Sequence, residues 1–277
     1  MLDLIFQQNS LLISAGIFAG MVLAVEFGYR LGRPVQGRES DTTRTHINAI
    51  QGSLLGFLAL ILGFTLSLSL QRYDMRSQAV VDEANAIGTT WLRAQLLPDS
   101  VRTQVQDRLR QHVDLRVRAG SIDLAHESDR DVLLGNTNQN LDAVWALALQ
   151  AAVEKPEMVA TGLFIQALND MIDSYGRRDA ALARHVPNEI LFLLFATFVL
   201  TGGVVGYAAG VAGHRPSVTT YVLLVLIVVL SFVIMDLDRP RRGIIRIDQS
   251  SLVNLGAALD AGPGATDTHS RAVTGHP

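Results

Sequence analysis

From Asn48 to Pro98 the chain runs for about fifty residues without an internal proline, reading NAIQGSLLGFLALILGFTLSLSLQRYDMRSQAVVDEANAIGTTWLRAQLLP. Gly52 to Leu70 carries no charge. At roughly 1.5 Å per residue that segment is long enough to cross a hydrocarbon core of about 30 Å. The pattern then turns amphipathic without a break, so the stretch predicts a membrane helix that continues out of the bilayer as a stalk. Gly52, Gly56, Ala59, Gly63 and Ser67 recur at spacings of three and four, which places them on one helical face. Small residues on such a face let another backbone approach closely inside a membrane. The partner is either a second helix of the same subunit or a neighbouring subunit around a pore.

Three more apolar runs of spanning length carry few charges: Leu11 to Val25, Ile190 to Gly213, and Val218 to Met235. They make this an integral membrane protein, in keeping with 49% hydrophobic residues and a mean hydropathy of +0.27. Met1 to Ser10 has no basic residue, so the first run lacks a signal peptide's charged flank and is taken as a membrane helix ending around Tyr29 and Arg30. Glu26, near its end, is placed to pair with Arg30 four residues on. The third run carries Gly202, Gly206 and Gly210, a doubled GxxxG that predicts close helix crossing. His214-Arg215-Pro216 is too short to do more than close a hairpin between the third and fourth runs.

Between Arg72 and Pro187 no strand-like alternation persists. Asp99 or Ser100 caps a helix to about Arg118, with Ala119-Gly120 as its stop. A second helix is expected from near Ser128 to Glu154, either continuous or broken near Gly135-Asn136, and Pro156 opens a third that ends near His185 and Pro187. The fold class is therefore all-α: four transmembrane helices with a helical soluble insert between the second and third. Residues 1–70 hold the first two spans, 71–187 the insert, 188–236 the last two spans, 237–260 a membrane-proximal tail and 261–277 a disordered end. Within the tail, Ile244 to Ile247 predicts one short strand and Leu252 to Leu259 one or two helical turns.

Four spans put both termini and the insert on one side. Near the span ends that side offers nine arginines against five in the two opposite loops, which predicts a cytoplasmic insert. Lys155 is the only lysine, and basic charge carried almost wholly by arginine suggests a bacterial source, hence an inner-membrane location. The first loop, with Arg33, Arg38 and Arg44, points the other way.

Two charge clusters sit where spans leave the membrane. Arg72, Arg76 and Glu83 fall close to one helical face, with Asp74 pointing elsewhere, and Asp236, Asp238, Arg239 and Arg241 follow the last span. They read either as ion pairs pinning the stalk to the fourth span or as a vestibule that filters ions at a pore mouth. Thr65, Ser67 and Ser69 line a wet path or bond back to their own helix.

Little points to catalysis. The chain has no cysteine, no phosphate-cradling glycine loop, no HExxH, and histidines without ligand spacing, so no metal and no cofactor is expected. Asp82 and Glu83 are adjacent and diverge by about 100° on a helix, too far to act on one bond. A net charge of −3 argues against nucleic acid as a partner, and none is expected. Lipid, inorganic ions and further copies of the chain remain as partners.

The run FTLSLSLQRYDMRSQAVVDEANAIGTTWLRAQLLP, with DLDRPRRGIIRIDQSSL after the last span, resembles the bestrophin-like domain proteins of bacterial membranes over about Ala49 to Leu252. Bestrophins proper are pentameric chloride or cation channels with four spans, cytoplasmic termini and a helical cytoplasmic region after the second span, which lines the pore through an apolar neck. The resemblance implies a homo-oligomeric ion channel and makes Phe57, Ile61, Phe64 and Thr65 candidates for the constriction. It does not extend to an acidic calcium clasp, for which this chain has no run.

Overall fold

The computed structural model describes residues 10–37, 40–121, 127–154, 158–239 and 244–261. Among these the structure is helical, and no strand occurs. In chain order the helices are α1 (Ser10–Gly32), α2 (Asp41–Ala94), α3 (Asp99–Ser121), α4 (Glu127–Glu154), α5 (Met158–Ala183), α6 (Asn188–Ala212), α7 (Val218–Asp238) and α8 (Ser250–Ala261). A short 3-10 turn, Arg33–Val35, follows α1.

Local chemistry sets the ends. The Ser40 hydroxyl accepts the Thr43 amide at 3.3 Å, an N-cap for α2, and Asp41 adds negative charge to the first turn. α2 then runs 54 residues and stops four residues before Pro98. α6 ends at Gly213, whose φ of 82° is the left-handed conformation that glycine adopts without strain. Its amide and that of His214 return to the carbonyls of Gly210 and Ala209.

Four of the helices are long and apolar enough to cross a membrane: α1, α2, α6 and α7. Of the two forms open to α4, the break near Gly135-Asn136 is absent and the helix is continuous. The strand expected at Ile244 to Ile247 is absent as well. Asp236 holds the amides of Ile244 and Ile245, which takes those donors away from any ladder. The turns expected after it are a full twelve-residue helix, α8. Pro156, Arg38, Arg241 and residues 262–277 lie outside the described residues.

Packing divides the chain into two units. The first comprises Met1–Tyr73 and His185–Ile245, the second Asp74–Arg184 and Arg246–Pro277. The tail beyond Arg246 thus groups with α3 to α5 rather than with the apolar helices. The first unit's core is Met21 and Val25 from α1, Leu58 and Leu62 from α2, Leu194 and Phe198 from α6, and Leu224, Ile227 and Ile234 from α7. Its closest approach is α1 against α6. A Cβ built on Gly28 would stand 2.0 Å from the Gly203 carbonyl oxygen, and one on Gly206 1.9 Å from that of Val25. Gly210 meets Tyr29 and Gly32 in the same way, and Gly202 sits against Met21 and Ala24. Only glycine permits backbones this close.

The second unit is built around the far half of α2. Val80, Ile87, Trp91 and Ala94 are buried on one of its faces. Thr90 is buried with them and donates to the Ala167 carbonyl on α5 at 3.0 Å. α8 lies on α3 with Leu252 and Leu259 buried.

Candidate functional site

Along its membrane span α2 has two unlike sides. Leu58, Leu62, Thr65 and Ser69 are buried. On the other side, Gly52, Gly56 and Gly63 meet nothing within 4 Å of a built Cβ, and Phe57 and Phe64 are 49% and 64% exposed. Ala59 and Ser67 are exposed with them. The small-residue face therefore has no partner among the described residues of its own chain. Ile61 packs partly against the core. Thr65 is turned inward, with its hydroxyl donating to the Ile61 carbonyl at 2.7 Å. Of the two roles open to it, a wet path or a bond back to its own helix, Thr65 takes the second.

The charges at the end of α7 hold backbone. Both Asp236 oxygens accept amides, from Ile244 at 3.0 Å and Ile245 at 2.8 Å. Both Asp238 oxygens accept the Val186 amide, at 3.1 and 3.2 Å, and the His185 ring lies 3.7 Å away. Asp236, Asp238 and Arg239 are all buried. On α2, Arg72 is half-buried and Asp74 exposed. Arg76 is buried and donates to the carbonyls of Ala181 at 3.2 Å and Arg184 at 2.6 Å. Those carbonyls close α5, where a guanidinium suits the negative end of the helix dipole. At the start of the chain Arg30 reaches Glu26 at 2.7 Å on the surface, the pairing its spacing predicts.

Glu83 is not on a solvated face. It is 0% exposed, seven residues beyond Arg76 and in line with Val80 and Ile87. Arg116 Nε on α3 lies 2.6 Å from Glu83 Oε1, and Arg178 on α5 donates through Nη1 to Glu83 Oε2. Arg178 Nη2 reaches Gln249 Oε1 at 2.7 Å, and the Arg116 guanidinium stacks 4.5 Å over the Tyr175 ring. One turn before Arg116 lies His112, fully buried and edge-on to Tyr175 with centroids 6.4 Å apart. Burial holds its pKa down to about 4; Glu83 opposes that shift, and Arg116 and Arg178 add to it.

Sequence reasoning placed Glu83 at a membrane exit and singled out neither Arg116 nor His112. A signal was there: Val80, Glu83, Ile87, Thr90 and Ala94 share one helical stripe, so the acid interrupts an apolar face.

A family model, the Bestrophin-like domain, matches residues 18–252. The chain belongs to that family. Two crystal structures of variants of a bacterial Bestrophin homolog from Klebsiella pneumoniae share the Bestrophin-like fold. One has a TM-score of 0.61 at 14% identity, covering 91% of this chain and 98% of that one. The other has a TM-score of 0.60 at 17% identity, covering 88% and 97%. A crystal structure described as that of a membrane protein variant is similar at a TM-score of 0.60 and 16% identity, over 88% and 97%. No curated protein matches the chain. This member of the Bestrophin-like family is thus an all-α membrane protein with four helices of spanning length.

Proposed function

We propose that this chain is a homo-oligomeric ion channel of the bacterial inner membrane, with α2 around the axis and the apolar side chains of Phe57 and Phe64 forming the constriction, flanked by Ile61. The observation that carries this reading is the uncovered side of the α2 span. A Cβ built on Gly52, Gly56 or Gly63 meets nothing within 4 Å among the described residues beyond its own helix, and Phe57 and Phe64 stand exposed beside them. A glycine face gains nothing from lipid, whereas it lets a second backbone come close. Rings of apolar side chains gate conduction by dewetting. Membership of the Bestrophin-like family supports the reading. The arginine distribution supports a cytoplasmic position for the helical insert of residues 71–187 and for both termini.

The second reading is a non-conducting scaffold whose insert binds a partner protein. It is favoured by a groove of about 250 Å³ between α4 and α5, lined by Asn138, Leu141, Asp142, Trp145, Ile172 and Tyr175.

Purified protein in a planar bilayer under asymmetric salt separates the two. Reproducible single-channel steps whose conductance changes on Phe64→Ala support the channel, and the reversal potential gives the preferred ion sign. A silent bilayer with inserted, oligomeric protein moves the assignment to the scaffold.

A further inference from the structure

We infer that the path along α2 selects cations, and that Asp74 and Asp82 concentrate them where the helix leaves its membrane span. The inference rests on the channel reading, in which α2 surrounds the axis.

Every seventh residue of α2 from Phe57 to Leu92 is exposed: Phe57, Phe64, Gln71, Gln78, Asn85 and Leu92. Leu60, Ser67, Asp74 and Val81, each three residues further on, are exposed as well. A seven-residue repeat keeps one side of a helix on a common seam when neighbouring helices wind slowly about each other. The side that carries Phe57 and Phe64 therefore continues past the span, and its character changes there. Apolar side chains give way to glutamine, aspartate and asparagine. Gln71 Nε2 reaches Ser67 Oγ at 3.4 Å, and Gln78 Nε2 donates to Asp82 Oδ1 at 2.9 Å. A surface of this kind stays wet.

The exposed charges on it have one sign. Asp74 and Asp82 are exposed, and among the described residues no arginine pairs with either. The arginines on the same part of α2 are drawn off it. Arg76 is buried and donates to the carbonyls of Ala181 and Arg184. Arg93 Nη1 donates to the Leu163 carbonyl at 2.9 Å. Arg72 is half-buried, with its Nε shielded from solvent. Each copy thus offers the path two exposed carboxylates and no exposed arginine between Gln71 and Ala94. In a path narrower than about 20 Å, a passing ion stays within a Debye length of such a ring, roughly 10 Å at 0.1 M salt. Rings of aspartate admit cations, and low-dielectric walls focus their field.

The chain has no cysteine, so Asn85→Cys places a single thiol on the seam. In full-length protein in mild detergent, its rates of modification by a trimethylammonium and by a sulfonate methanethiosulfonate are compared. Each rate is divided by that of the same reagent with 2-mercaptoethanol. The cationic reagent is expected to be favoured on the order of tenfold at 0.1 M salt. Adding Asp74→Asn and Asp82→Asn, or raising the salt to about 1 M, should remove most of that preference. Asparagine at 82 keeps the oxygen that accepts Gln78, so the charge alone is lost. In a planar bilayer under asymmetric potassium chloride, the wild type should reverse on the cation side, and the doubly substituted protein closer to zero. A thiol preference near one, or one that the two substitutions leave intact, overturns the inference. So does reversal on the anion side, or reversal unchanged by the substitutions. A silent bilayer beside a tenfold, aspartate-dependent thiol preference counts against the channel reading and for the acidic path, so the two failures are distinguishable.

Discussion

The Glu83 carboxylate and the Arg116 guanidinium meet at 2.6 Å, and their side chains are 0% and 3% exposed. Arg178 closes on the same carboxylate from α5, so three helices share one acid. Removing the acid leaves two cations in a low-dielectric interior, whereas removing all three charges leaves none. Glu83→Ala is expected to cost about 3–5 kcal/mol in the second unit. Replacing Glu83 with Leu together with Arg116 and Arg178 with Met should recover most of that. Thermal unfolding followed by circular dichroism compares the two. Equal loss in both would mean that shape, not charge, is what the cluster contributes.

The glycines of α1 and α6 divide into those that must be glycine and those that need not be. At Gly206 a Cβ would lie 1.9 Å from the Val25 carbonyl oxygen, a backbone atom that cannot give way alone. Gly206→Ala should cost about 1–3 kcal/mol or more and lower the yield of monodisperse protein. Gly16 and Gly20 have nothing within 4 Å, so Gly16→Ala and Gly20→Ala should leave thermal stability unchanged or slightly raised.

On α2 the expectation is the reverse. A Cβ at Gly56 meets nothing within 4 Å among the described residues beyond its own helix, so in Gly56→Leu the fold should persist while the assembly changes. Light scattering behind size exclusion reads the number of subunits, and circular dichroism confirms the helices. An unchanged assembly would show that the glycine face of α2 is not the subunit contact.

The Asp236 carboxylate accepts two consecutive amides, those of Ile244 and Ile245. Asp236→Ala should expose both to rapid exchange and cost about 1–3 kcal/mol for each donor left without a partner. Asp236→Asn keeps one acceptor oxygen and should fall between. Exchange at those two positions is the measurement.

Stability of the second unit should fall with acid in a window set by His112. Its folded value of about 4 lies below the free value of 6.5, so the unfolded chain binds the proton first. The neutral ring's contribution is intact above about pH 6.5, is lost as pH falls toward 4, and changes no further below that. Urea unfolding of wild type and His112→Phe at pH 7.5 and 5.5 should show the wild type losing more. Parallel losses would point to other groups.

The four spans were legible because an uncharged run of that length has one low-energy home. The crossing glycines were legible through their spacing. Thr65 was legible only as a choice between a wet path and a bond back to its own helix, since which side of α2 faces the core depends on where α1, α6 and α7 pack, and no local signal carries that. Glu83 was half legible: its helical phase was right, but its partners come from 33 and 95 residues away and from helices whose mutual register no sequence window contains. The missing strand at Ile244 has the same cause, because a single aspartate eight residues upstream takes its donors.

The contact between α1 and α6 also bears on how the chain is made. The first span leaves the ribosome at Gly32, and its glycine-matched partner does not begin until Asn188. At ordinary synthesis speeds α1 waits roughly 10–30 s for it. Throughout that interval Gly28 and Gly32 face lipid or whatever else passes. A nearby ribosome that has already released its own α6 offers the same groove sooner. Crowded translation should therefore favour chains that exchange their first span with a neighbour, and slow, sparse expression should favour chains that close on themselves.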